Sequence, residues 1–247
     1  MKRLCCFVLV FLVALSAVAQ TLPNTLTPEE KAAGFQLLFD GQDISPDIWQ
    51  GDIAGYPVEN GNIVCRNGNN LVTKEIFDDF IFRCEFKLPP GGNNGIGIRG
   101  PDVASGAMNG LEIQILDHHH PKYKDIEPWQ YHGSIYGVLP AKRNAEKNDY
   151  LLPVGEWNTT EISAVGTKIK VILNGETIID ADMKDYSDKP LPQDKFRPQG
   201  LDRLDGVVGF LGHGDPVAFR NVRIKRLNDT HSLYGTPTKV TLPASIL

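Results

Sequence analysis

After its first twenty residues this 247-residue chain has no long apolar run, little cysteine and no excess of positive charge. Each shortage removes a class of function. No later segment approaches the roughly 20 apolar residues of a spanning helix, so no membrane span is expected in the mature chain. Of four cysteines, Cys5 and Cys6 lie in the opening apolar run, leaving Cys65 and Cys84. Both share a strand phase with apolar residues, Cys65 with Ile63 and Cys84 with Phe80, Phe82 and Phe86. They read as buried free thiols, with a cross-strand bridge as the alternative. Cysteines on core phases offer no exposed nucleophile, and Ser134 lacks a nucleophile elbow. The glycine-rich segments lack the lysine and following helix of a phosphate loop.

What is present begins with Lys2 and Arg3, the apolar stretch Leu4 to Val13, and Ala17-Val18-Ala19. This is the pattern of an export signal cleaved after Ala19, which predicts a periplasmic or secreted protein. Removing it deletes two cations from 25 and none of the 30 acids, leaving a formal charge of −7. Such a chain does not suit nucleic acid, whose phosphates call for clustered Lys and Arg. The remaining residues divide into an arm (20–33), one domain (34–227) and a tail (228–247).

The arm carries a helix signal, Thr27-Pro-Glu-Glu-Lys-Ala-Ala33. Beyond it, short stretches of alternating polarity are separated by Gly, Pro, Asn and Asp, which predicts an all-β chain. Asn174-Gly175, between Lys168–Leu173 and Glu176–Asp180, is a strong hairpin signal because both residues tolerate positive φ. Many antiparallel strands without a helical period predict two sheets packed face to face, as in a jelly roll.

Chemistry concentrates in Gly110-Leu-Glu-Ile-Gln-Ile-Leu-Asp-His-His-His120. Alternate side chains of a strand point to opposite faces, so Leu111, Ile113 and Ile115 enter a core while Glu112 and Gln114 stay on the other face. Asp117 would alternate to the core side unless a bulge re-aims it. Arg83, Glu85 and Lys87 in one strand, and Gly95, Gly97 and Arg99 in another, read as extending the same polar face. The glycines there allow close approach of a ligand. Planar polar groups beside aromatic platforms such as Trp129, Tyr131 or Tyr136 suit a sugar. His118, His132 and His213 are candidate site histidines, whereas His119 and His120 read as a solvated turn. A divalent cation is an open possibility, since imidazole and carboxylate both ligate one.

Seven segments, in order, resemble the 3-keto-disaccharide hydrolase family, also described as 3-ketoglucoside lyase and hydratase. They are Gly34-Phe-Gln-Leu-Leu-Phe-Asp-Gly41, Asn93-Asn-Gly-Ile-Gly-Ile-Arg-Gly100, Gly110-Leu-Glu-Ile-Gln-Ile-Leu-Asp117, Gly133-Ser-Ile-Tyr-Gly137, Gly155-Glu-Trp-Asn-Thr159, Leu173-Asn-Gly175 and His213-Gly-Asp-Pro-Val-Ala-Phe-Arg-Asn221. The resemblance implies a concanavalin-like jelly-roll β-sandwich of two antiparallel sheets acting on an oligosaccharide or glycoside. Where the family commonly has Gly-Leu-Gln-Asp-His-Gly, this chain has Gly209-Phe-Leu-Gly-His-Gly214, without the amide and carboxylate.

A ketone at C3 acidifies the C2 proton, so a base can remove it and the enolate can expel the group at C1. Glu112 is the expected base, Arg99 or a bound cation the expected enolate stabiliser, and His132 or Asp117 the expected acid. Asn94, Gln114, His118, Tyr136 and His213 are the expected substrate contacts. Two rival readings remain at this stage. One is a laminarinase-like glycosidase using Glu112 and Asp117, whose retaining chemistry needs carboxyls about 5 to 5.5 Å apart. The other is a non-catalytic carbohydrate-binding module, since this fold serves lectins as well as enzymes.

Overall fold

A computed structural model describes residues 22–104, 109–192 and 197–227. The expected export signal and tail lie outside these. The arm's signal forms a short helix, α1 (Pro28–Ala32), closed by a reciprocal cap between Thr27 and Glu30. Among the described residues thirteen strands follow: β1 (Gln36–Leu37), β2 (Trp49–Gly51), β3 (Val58–Glu59), β4 (Asn62–Val64), β5 (Asn70–Thr73), β6 (Phe80–Lys87), β7 (Asn93–Gly100), β8 (Leu111–Leu116), β9 (Trp157–Val165), β10 (Lys168–Leu173), β11 (Glu176–Asp182), β12 (Val207–Gly212) and β13 (Ala218–Arg226).

One sheet runs β11-β10-β9-β6-β13-β4-β3, with β1 also on β13; the other runs β2-β5-β12-β7-β8. Neighbouring strands pair antiparallel throughout. The two sheets make the expected jelly-roll sandwich, because each strand contributes every second residue to a shared interior. In β6, Phe80, Phe82, Cys84 and Phe86 are buried and the intervening residues half-buried. Phe210 of β12 stacks on Phe219 of β13 with ring centroids 3.9 Å apart, and Trp49 of β2 lies 5.8 Å from Phe210. That stack spans the two sheets, and truncating one such phenylalanine to alanine costs about 3–5 kcal/mol. Cys65 and Cys84 are free and buried.

The Asn174-Gly175 turn joins β10 to β11 with φ of 49° and 86°, the mirror-image turn that follows strand twist. The short strands β2, β3 and β5 are not evident from the sequence. Residues 134–138, whose alternating polarity also predicts a strand, make only single bridges, Ile135 with Ile113 and with Leu139.

One expectation fails at the level of the sheet. β6 belongs to the larger sheet while β7 and β8 are neighbours in the smaller one. Arg83, Glu85 and Lys87 therefore face outward on the far side of the sandwich from Glu112. There they join an ion-pair lattice in which Arg83 meets Glu161 at 2.6 Å and Arg220 meets Glu85 at 2.6 Å. The arm is fastened to this face by Glu30, which pairs with Arg83 and Arg223.

Candidate active site

The register of β7 and β8 builds the site. Glu112 stands opposite Gly97 and Gln114 opposite Gly95, with Ile113 and Ile96 facing the core between them. A Cβ at Gly95 would lie 2.1 Å from Glu112 Oε1, so the carboxylate occupies space that only glycine leaves open. On the other flank, residues 133–136 run beside β8. Gln114 N–H donates to Ser134 O at 3.0 Å and Tyr136 N–H donates to Glu112 O at 2.9 Å. Tyr136 is thus the lateral neighbour of Glu112 on the outer face. Trp129 packs edge-on against it at 5.1 Å, and Gln130 Nε2 donates to its hydroxyl at 3.3 Å.

His213 follows β12 immediately, and its Nε2 lies 3.5 Å from Glu112 Oε1. The Glu112 side chain is 4% exposed and that of His213 is 45% exposed, so the imidazole is the member of the pair that meets solvent. The Glu112 carboxylate raises the His213 pKa above the ordinary imidazole value, outweighing the opposite effect of partial burial. Glu112 Oε1 and Gln114 Oε1 are buried without a hydrogen-bond partner. Two orphaned acceptors on one strand face are unusual, because buried polar atoms are nearly always satisfied.

Other expected residues go elsewhere. Ile98 and Arg99 stand opposite the single residue Val208, so β7 bulges, and Arg99 has φ of 57°. The extra residue turns the Arg99 side chain inward. Its guanidinium donates to Arg203 O, and to Gly166 O at 2.5 Å in the β9–β10 turn of the other sheet. Arg99 therefore plugs one end of the sandwich and does not stabilise charge beside Glu112. Asn94 shares the inward phase of Ile96 and is fully buried; Asn93, one residue earlier, faces the site and accepts from Gln114 Nε2 at 2.9 Å. Counting back by two from Gly97 and Gly95 identifies Asn93.

His132 lies in the interior, 5.1 Å from the Phe86 ring, with Nδ1 accepting the Leu116 N–H at 3.1 Å. Burial pushes its pKa down to about 3, so near neutrality the ring is uncharged and is not the acid expected of it. Asp117 Oδ2 accepts the Gly91 N–H at 2.7 Å, closing the Pro89–Gly92 loop. With that oxygen engaged in loop closure, the two-carboxylate glycosidase reading loses its second group.

His118 turns to Asp149, with Nε2 3.0 Å from Oδ2, and His119 Nε2 is 3.6 Å from the same oxygen. Their ligand atoms and that of Asp149 lie within 4.8 Å of one another, close enough to hold a metal ion. Arg143, however, already lies 2.6 Å from Asp149 Oδ2. Burial works to raise the Asp149 carboxyl, but Arg143, followed by His118, holds it down at about 2. The guanidinium supplies the positive charge a cation would bring, and the group reads as a brace for the loop over 143–150. Asp149 carried no local sequence signal for this role, since its partnership with His118 spans 31 residues.

The profile of the 3-keto-alpha-glucoside-1,2-lyase-like domain matches residues 34–225. The chain is 26% identical over 236 residues to a 3-keto-disaccharide hydrolase of Bacteroides thetaiotaomicron, covering 80% of each. It also resembles two crystal structures from Parabacteroides distasonis, each provisionally assigned as a glycosyl hydrolase. The first has TM-score 0.69 and 26% identity, covering 84% of this chain and 100% of the other. The second has TM-score 0.65 and 27% identity, covering 78% and 99%.

Proposed function

Since the chain belongs to the 3-keto-alpha-glucoside-1,2-lyase-like family, we propose that it cleaves 3-keto-glycosides, with His213 and Glu112 as its acid–base unit. The observation that carries this reading is the pairing of a half-exposed imidazole with a buried carboxylate, whose Oε1 has no hydrogen-bond partner, on a glycine-cleared sheet face. Glu112 faces Nε2, which leaves Nδ1 to take the proton from C2 of the sugar. The carboxylate then stabilises the imidazolium, so Glu112 positions and tunes the base, a change from the direct role expected of it.

Electrons released at C2 move onto the C3 oxygen as an enolate. The Tyr136 hydroxyl, which accepts from Gln130, keeps its own proton free to donate there. Collapse of the enolate breaks the C1–O bond, and the proton held by His213 leaves on the departing oxygen. Hydration reverses the steps: His213 takes a proton from water as oxygen bonds to C1, then delivers it to C2. The enzyme returns to its starting state with no redox partner. The export signal expected at residues 1–19 would place this activity outside the cytoplasm.

The test is a kcat/KM pH profile for wild type and Glu112→Gln on a 3-keto-glucoside and its unoxidised parent. Wild type should cleave only the ketone, with an acidic limb above the ordinary imidazole pKa of about 6.5. Rate rises as His213 loses its proton, so removing the Glu112 charge should move that limb to lower pH and lower the maximum by about 10²-fold. Equal cleavage of both sugars, or an unshifted limb, refutes the assignment.

A further inference from the structure

The second orphaned acceptor has no role in proton transfer. Gln114 donates Nε2 to Asn93 Oδ1 at 2.9 Å, which fixes the amide in its plane, and its Oε1 is buried with no partner. Glu112 and Gln114 share a face two residues apart, about 7 Å along the strand. That distance is comparable with a pyranose ring and its substituents. A sugar placed with C2 at the Glu112–His213 end would lay its opposite edge, C4 to C6, over Gln114.

We infer that Gln114, held by Asn93, is the specificity-determining residue of this site and reads a hydroxyl on the C4–C6 edge of the oxidised ring. This inference rests on the proposed cleavage of 3-keto-glycosides. The chemistry of the orphan constrains the ligand: a lone carbonyl oxygen needs a donor, and a ketone at C3 can only accept. The donor must therefore come from a hydroxyl that oxidation has left intact. A site built around such a hydrogen bond rejects a substrate lacking the donor far more strongly than an apolar pocket rejects a missing methylene.

The experiment compares kcat/KM for a 3-keto-glucoside with its 4-deoxy and 6-deoxy analogues, in wild type, Gln114→Met and Gln114→Glu. In wild type, one of the two analogues should fall by about 10²-fold or more. Gln114→Met, similar in length but without the acceptor, should turn over the parent and that analogue equally. Gln114→Glu keeps an acceptor whichever way the amide is turned, so the penalty should persist, and it serves as control if the methionine variant folds poorly. Both deoxy sugars within tenfold of the parent in wild type, or a penalty that survives in Gln114→Met, overturns the inference while the cleavage reading stands. If no keto sugar is turned over, the same sugars are titrated calorimetrically. Equal affinities for parent and deoxy sugars then overturn both readings, and a lost affinity for one deoxy sugar supports the Gln114 role alone.

Discussion

Replacing His132 with asparagine should change how stability depends on pH. The ring is buried against Phe86, accepts the Leu116 N–H through Nδ1, and has its pKa depressed to about 3. In the unfolded chain the same imidazole titrates near 6.5. Between these values the unfolded state binds a proton that the folded state refuses, so acid favours unfolding. The stability is fully present above about pH 6.5 and falls by about 1.4 kcal/mol for each unit below it, down to about pH 3. From pH 8 to pH 5 the loss from this one residue amounts to about 2 kcal/mol. Asparagine puts an acceptor near the place of Nδ1 but does not titrate, and the lost ring volume costs the same at every pH. Urea unfolding of both proteins from pH 8 to pH 5 should show the gap between them narrowing by about 2 kcal/mol. Groups common to both proteins that do not act on His132 cancel in that difference. Parallel curves would refute the burial argument.

Gly95→Ala should lower kcat/KM by at least about tenfold, because its Cβ would lie 2.1 Å from Glu112 Oε1 and must push the carboxylate from its seat; a wild-type rate would show that the seat is unimportant. Arg99→Met should cost about 3–5 kcal/mol by removing two charge-assisted hydrogen bonds and leaving the Arg203 and Gly166 carbonyls without their donor. In a domain of this size that lowers Tm by roughly 6–20 °C, and a shift under 2 °C in differential scanning calorimetry would contradict the plug assigned to it.

The sequence revealed more of the fold than of the site, for a physical reason. Period-two alternation is local, so β6, β8 and the Asn174-Gly175 hairpin can be read within one window of residues. Alternation fixes which side of its own strand a residue takes, but it is silent about which sheet the strand joins. Hence alternation gives Arg83 and Glu85 the right phase and says nothing of their sheet. The Arg99 bulge inverts the phase without a local signal, since it follows from pairing with Val208, more than a hundred residues away. His132 and Asp149 depend on partners brought in by folding. Glu112, Gln114, Tyr136 and His213 were legible because strand phase, turn position and residue type agree there.

The β7 bulge also divides that strand into two reading frames. Before it, odd-numbered positions 93, 95 and 97 serve the outer face that carries Glu112 and Gln114; at 99 an odd position serves the seal between the sheets. One inserted residue lets eight consecutive positions meet two unrelated demands, and it makes the strand intolerant of length change. Deleting Ile98 would restore regular alternation but seat the guanidinium opposite Val208, away from the Arg203 and Gly166 carbonyls, and deleting Arg99 would remove it; either opens the seal. Sandwich closure would then be lost, although neither Glu112 nor His213 had been altered.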